Sequence, residues 1–92
     1  MVRELSHYIG GRRVGGTSGR SGDVFDPCTG EVQARVPFAG RDEVRAAVAT
    51  AAKAQAEWAA MNPQRRGRIL LKFVDLVNRD MDGLARMLSS EH

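Results

Sequence analysis

The sequence is poor in the residues that build disulfides, metal sites and membrane spans. It contains one cysteine and two histidines among 92 residues. A single cysteine cannot form an internal disulfide, which fits a reducing compartment. Cys28, His7 and His92 lie too far apart for the ligand spacing of a zinc site. No run approaches the roughly 18 apolar residues that a membrane helix needs. We therefore expect neither a structural metal nor a membrane span.

The first residues do not show the pattern of a leader peptide. The first eight residues have no apolar h-region and include the acidic Glu4, so we expect a cytoplasmic protein. With 42% hydrophobic and 27% charged residues, the composition is that of a globular chain rather than a disordered or collagen-like one. At this length the chain is one small domain or part of a larger one.

The charge is weakly basic, and nearly all basic residues are arginine. The net charge is +3, which raises the question of nucleic acid binding. Acidic residues are interspersed throughout, however, and the densest basic run, Arg65 to Arg68, falls where a helix should begin. We interpret this run as a solvated or partner-facing helix surface rather than a phosphate-binding patch, and we do not expect nucleic acid binding.

Residues 1–40 contain most of the glycines, and their apolar residues occur in short alternating groups. This pattern predicts hairpins, with tight turns at Gly10–Gly11 and at Pro27 to Gly30. The glycine- and serine-rich stretch between the hairpins has nothing to bury, and we expect it to be a mobile surface loop. The predicted strands cover residues 5–9, 12–14, 23–26 and 31–36, the loop covers residues 15–22, and Pro37 ends the last strand.

After Gly40 the period of the apolar residues changes from two to 3.6, which predicts about three amphipathic helices over residues 41–92. Asn62–Pro63 is a start signal for the second helix, and Asp80 is a candidate cap for the third. The sequence stops without the glycine, asparagine or proline that usually closes a helix. We therefore expect an incomplete domain, in which a larger body covers the apolar stripes.

The glycines do not form a phosphate-binding motif. No set has the spacing of the dinucleotide fingerprint, and no Gly-Lys-Ser or Gly-Lys-Thr is present. The loop over residues 15–22 precedes a predicted strand, whereas phosphate loops open onto a helix whose N–H groups bind the anion. We interpret it as a flexible linker.

Three candidate catalytic arrangements were weighed against structural roles. Cys28 could be a nucleophile, but it sits in a turn between two carboxylates, which raise the pKa of a thiol. Asp26 and Glu31 could form a carboxylate pair, yet turns favour such residues for backbone hydrogen bonding. His7 is interpreted as a surface or edge residue rather than a base. We therefore assign no catalytic, cofactor-binding or metal-binding residue.

Five segments, in order and without internal gaps, resemble the N-terminal segment of the aldehyde dehydrogenase superfamily. They are Tyr8-Ile9-Gly10-Gly11, Asp26-Pro27-Cys28-Thr29-Gly30-Glu31-Val32, Val44 to Trp58, Pro63-Gln64-Arg65-Arg66 and Leu84 to His92. Within the superfamily, the sequence looks most like the CoA-acylating branch that acts on methylmalonate semialdehyde. Asp26 and Cys28 depart from the usual asparagine and alanine of the turn.

The resemblance implies the N-terminal portion of an α/β enzyme that oxidises an aldehyde with NAD through a cysteine thiohemiacetal and releases the acyl group to CoA. It also implies that the parent is a homo-oligomer. The family's nucleophile, general base, oxyanion group and nucleotide-binding units lie downstream and are carried over to no position here. The fragment alone is therefore predicted to be inactive, with the remainder of the dehydrogenase chain as its partner.

A different class of function remains open. The chain could be a truncated, non-catalytic module that docks on a full-length subunit or presents its basic face to an anionic partner.

Overall fold

The computed structural model describes residues 1–92 and contains five strands followed by three helices. The strands are β1 (Arg3–Glu4), β2 (His7–Ile9), β3 (Arg12–Val14), β4 (Ser21–Phe25) and β5 (Val32–Pro37), and the helices are α1 (Arg41–Ala60), α2 (Pro63–Arg79) and α3 (Met81–Glu91). The predicted order of hairpins and three helices is confirmed. No stretch of α1, α2 or α3 reaches the length and apolarity that crossing a bilayer requires.

The first hairpin pairs β2 with β3 in antiparallel register, with His7 opposite Val14 and Ile9 opposite Arg12. Gly10 and Gly11 form the turn with φ angles of 63° and 80°. Two successive residues in the left-handed region are typical of a tight hairpin turn whose twist matches that of the strands. The turn predicted from the glycine pair is confirmed.

The second sheet has three strands in the order β1-β5-β4, so β5 is central. β4 and β5 are antiparallel, as the sequence predicts, and a bulge interrupts their register between Val24 and Phe25. β1 runs parallel to β5, with Arg3 opposite Ala34. β1 is absent from the predicted strands because two residues are too few to show an alternating pattern.

The stretch over residues 15–22 differs from the expected mobile loop. Ser21 and Gly22 already belong to β4. The Arg20 N–H donates to the Ser18 hydroxyl oxygen at 3.1 Å, and that hydroxyl donates to the Phe38 carbonyl. The Phe38 N–H in turn donates to the Arg20 carbonyl at 2.9 Å. The loop has no apolar residue to bury, but these hydrogen bonds tie it to the end of β5.

The helix starts follow the predicted signals in two of three cases. α1 begins after Gly40, as predicted. At the start of α2, the Asn62 Oδ1 accepts from the Gln64 N–H at 2.8 Å and Pro63 occupies the first helical position, which confirms that cap. α3 begins after Asp80, but the Asp80 side chain makes no capping hydrogen bond. It pairs instead with Arg79 at 3.1 Å.

Very little of the chain is buried. Ala34 on β5 is the one fully buried residue, and no residue of the three helices is buried. The radius of gyration is 16.9 Å, whereas a compact domain of this length has about 12 Å. The accessible surface is 7781 Å², against about 5200 Å² for a compact monomer of this mass. The 92 residues therefore do not close a hydrophobic core among themselves.

A single long-range hydrogen bond connects the central strand to the end of the last helix. The Gln33 side-chain amide donates to the Ser90 carbonyl at 2.7 Å in a partly buried position. Since a partly buried carbonyl at a helix C-terminus needs a donor, Gln33 fixes where α3 ends relative to the sheet.

We predict that Gly16→Ala destabilises the native protein, whereas Gly15→Ala does not. A Cβ at Gly16 would lie 2.7 Å from the Cβ of Pro37, which is rigid, whereas a Cβ at Gly15 meets nothing within 4 Å. Overpacking of this kind costs about 1–3 kcal/mol, while Gly15→Ala should be neutral or stabilise by up to about 1 kcal/mol. Denaturant unfolding measures both, and equal free energies of unfolding would contradict the close approach.

Candidate functional site

Glu43, in the first turn of α1, is the polar centre of the contact between that helix and the first hairpin. Its Oε1 accepts from the Thr17 N–H at 3.2 Å and from the Gly40 N–H at 3.4 Å. Its Oε2 lies 3.6 Å from His7 Nε2. One carboxylate thus connects β2, the loop after β3 and the start of α1.

This environment favours the ionised carboxylate and lowers the pKa of Glu43 below its ordinary value of 4.5. Hydrogen bonding by the Thr17 side chain is the largest cause, followed by the backbone N–H groups of Gly40 and Thr17. His7 adds a smaller favourable contribution, against a desolvation cost. A carboxylate with a lowered pKa is a weak general base, so Glu43 is better suited to joining these segments than to proton transfer. We call Glu43 together with His7, Thr17 and Gly40 the clasp.

His7 lies on an edge strand, as expected, but its side chain is not a free surface group. Its Nε2 is buried and has no hydrogen-bond partner. The ring lies close to Gly16 and faces Glu43. His7 and Glu43 are 36 positions apart, and no local pattern indicates that they meet, so this pair is not predictable from the sequence.

A groove of about 440 Å³ opens beside this clasp. Its floor is α1 and its wall is the first hairpin, and it is lined by Ile9, Gly10, Arg12, Val14, Gly15, Thr17, Glu43, Ala46, Ala47 and Thr50. The lining contains no cysteine, serine or histidine, the Thr50 hydroxyl donates to the Ala46 carbonyl, and the Glu43 carboxylate is occupied by backbone N–H groups.

The candidate catalytic residues of the second turn, Cys28, Asp26 and Glu31, do not line this groove. Cys28 is exposed, and its N–H donates to the Asp26 Oδ1 at 2.8 Å. The Glu31 N–H donates to the Thr29 hydroxyl at 3.2 Å. Asp26 therefore has the backbone-bonding role that its turn position predicts. Across residues 1–92, no three His, Cys, Asp or Glu side chains are grouped so that they could hold a metal ion. The absence of a catalytic or cofactor-binding residue stays a prediction.

Comparison with known proteins decides the family. The model of the aldehyde dehydrogenase family matches residues 14–92. The chain belongs to this family. It is 42% identical over 91 residues to malonate-semialdehyde dehydrogenase 3 of Geobacillus kaustophilus (strain HTA426), covering 99% of this chain and 19% of that relative. The predicted resemblance to the superfamily is confirmed.

A solved structure extends this likeness to the fold. A Sinorhizobium meliloti 1021 protein, described as a methylmalonate-semialdehyde dehydrogenase and crystallised with NAD, is 54% identical and superposes with a TM-score of 0.95. The match covers 100% of this chain and 19% of that one. The chain thus spans about a fifth of the length of its aldehyde dehydrogenase relatives, and its strands and helices have the arrangement found within one of them.

The lowered pKa of Glu43 predicts a pH dependence of stability. A carboxyl group whose pKa is lower in the folded than in the unfolded state stabilises the fold above pH 4.5, and this contribution is lost as the pH falls through the folded-state pKa. We expect Glu43→Gln to destabilise the protein at neutral pH and to differ progressively less from wild type at acidic pH. Glu57→Gln, on an exposed part of α1, is the control. A pH-independent difference in free energy of unfolding would argue against the clasp.

Proposed function

We propose that the 92 residues are the N-terminal portion of an NAD-dependent, CoA-acylating semialdehyde dehydrogenase, with malonate or methylmalonate semialdehyde as its substrate. The observation that carries this proposal is the TM-score of 0.95, at 54% identity over the whole chain, with a protein of that description crystallised with NAD. The 42% identity to a malonate-semialdehyde dehydrogenase supports the same substrate class. In the overall reaction the aldehyde hydrogen passes to NAD⁺ as a hydride and the CoA thiol takes up the acyl group, so that aldehyde, NAD⁺ and CoA give acyl-CoA, NADH and a proton.

The residues present here do not fit a site for the NAD pyrophosphate. Such sites use the N–H groups at a helix N-terminus that follows a glycine-rich turn after a strand. α1 is the helix that follows a strand, but its first turn carries Asp42 and Glu43, and Glu43 already accepts from the Gly40 N–H. These two negative charges would repel a pyrophosphate. The pyrophosphate site therefore belongs to a part of the parent chain outside residues 1–92.

We also expect the isolated chain to be inactive. Its cysteine is an exposed turn residue, and its best-organised carboxylate is engaged by N–H groups. In the larger domain that we propose, the hairpin region is residues 1–40 and the helical region is residues 41–92. The parent is proposed to be a homo-oligomer and to be cytoplasmic, and the one cysteine of these residues, which is unpaired, agrees with a reducing compartment. CoA is required only by the complete enzyme.

The second candidate, a non-catalytic docking module, is supported by one observation: the apolar faces of the helices are exposed. It predicts that the 92-residue chain on its own binds a full-length dehydrogenase subunit. Co-elution of the two would favour this function, and separate elution would contradict it.

We expect the complete reading frame that contains these residues to form NADH from NAD and methylmalonate or malonate semialdehyde when CoA is supplied. The 92-residue chain alone should stay at background in the same assay. Cys28→Ser in the complete protein is the control, and we expect an unchanged rate because Cys28 is an exposed turn residue. Turnover by the 92-residue chain, or a large loss of rate in Cys28→Ser, would overturn the assignment of the chemistry to other parts of the chain.

A further inference from the structure

The polar contacts that join the β2–β3 hairpin to the other elements converge on one carboxylate. The hairpin is a two-stranded sheet of its own, and no backbone hydrogen bond connects residues 7–17 with another strand or helix. Two polar contacts leave this segment, and both end on Glu43. The Thr17 N–H donates to its Oε1 at 3.2 Å, and His7 Nε2 lies 3.6 Å from its Oε2.

The apolar contact between the hairpin and α1 is loosely packed. Three grooves, of about 440, 450 and 300 Å³, run along this contact, and Ile9 and Ala47 line all three. The interior of a protein is normally filled at close to crystal density, and a contact with such gaps gains less from dispersion and burial. The attachment of the hairpin to α1 therefore depends strongly on the clasp.

The charge of the His7 ring determines how strongly the clasp holds. Its Nε2 is buried and unpaired, and the side chains of His7 and Glu43 are 20% and 19% exposed. A ring nitrogen beside a carboxylate carries either a proton, which the carboxylate attracts, or a lone pair, which it repels. A neutral ring can hold its single proton on Nε2, but only the imidazolium adds a net positive charge opposite the carboxylate.

Glu43 is the one charged group that the structure places beside this ring. The neighbours of the ring on the other elements are Val14, Gly16, Ala39, Glu43 and Val44. The carboxylate in turn has no ion-pair partner other than His7. Because hydrogen bonding by Thr17 and Gly40 lowers the pKa of Glu43, its carboxylate stays ionised over the range in which histidine changes charge.

We propose that the clasp is a pH-sensitive device, in which protonation of His7 tightens the attachment of the β2–β3 hairpin to α1 and loss of that proton loosens it. Histidine ordinarily gains its charge as the pH falls from about 8 to about 5. The attachment is therefore tighter at pH 5.5 than at pH 8.5, and it weakens again only where Glu43 itself is protonated. The proposal concerns the hairpin and does not depend on the proposed substrate.

Hydrogen exchange of the full chain at pH 8.5 and pH 5.5, followed by mass spectrometry, tests the device. A peptide that contains Thr17 reports on the clasp directly, because the Thr17 N–H donates to Glu43. Each rate is corrected for the intrinsic pH dependence of amide exchange. We expect the protection of this peptide to be about two- to fivefold higher at pH 5.5, the range for an ion pair that keeps some exposure to solvent.

Variants of the two histidines identify the group that titrates. His7→Gln should abolish the pH dependence at Thr17, and Glu43→Gln should do the same because it removes the opposite charge. His92→Gln is the matched control, since His92 lies outside the clasp, and it should keep the wild-type pH dependence.

Two results would overturn the proposal. The first is equal protection of the Thr17 peptide at the two pH values in the wild-type protein, a comparison that needs no substitution. The second is a wild-type pH dependence that persists in His7→Gln, which would assign the titration to another group.

Discussion

The pairing of β5 with a strand on each side is the constraint on which the arrangement of the other elements depends. Ala34, at its centre, is the one fully buried residue. Its neighbour Arg35 lies opposite Glu4 on β1 and Asp23 on β4, with ion-pair distances of 3.3 and 3.6 Å. Gln33 reaches the last turn of α3. Both flanking strands and the last helix therefore contact residues of this one strand.

Hydrogen bonding, more than apolar burial, holds these parts in place. Of 56 backbone hydrogen bonds, 46 lie within the helices and strands, and the tertiary connections come from a few polar side chains such as Glu43 and Gln33. Each such bond contributes only about 0.5–1.5 kcal/mol. Many hydrogen bonds combined with little apolar burial are typical of an outer part of a large domain. There, a neighbouring layer supplies the apolar burial that the 92 residues do not provide themselves.

Local signals in the sequence predicted the elements whose causes are local. The glycine pair at residues 10–11 specifies its own backbone angles, Asn62 caps the helix that immediately follows it, and the 3.6-residue period marks the helices without reference to any other element. The missed features are non-local. β1 depends on pairing with a strand about 30 residues away, and the tie of Ser18 to Phe38 spans 20 residues. The His7–Glu43 contact has the same character, because a two-residue contact between distant segments leaves no periodic trace. The family was identifiable because the order of many weak motifs is informative even where no single motif is.

The parallel pairing of β1 has a consequence for the order of events during synthesis. Glu4 and Arg35 are 31 positions apart, and within residues 1–92 β1 pairs only with β5. At about 5–20 residues per second, the ribosome needs about 2–6 s to make the intervening chain. β1 therefore cannot pair with β5 until β5 has emerged, while the β2–β3 hairpin can already close between them.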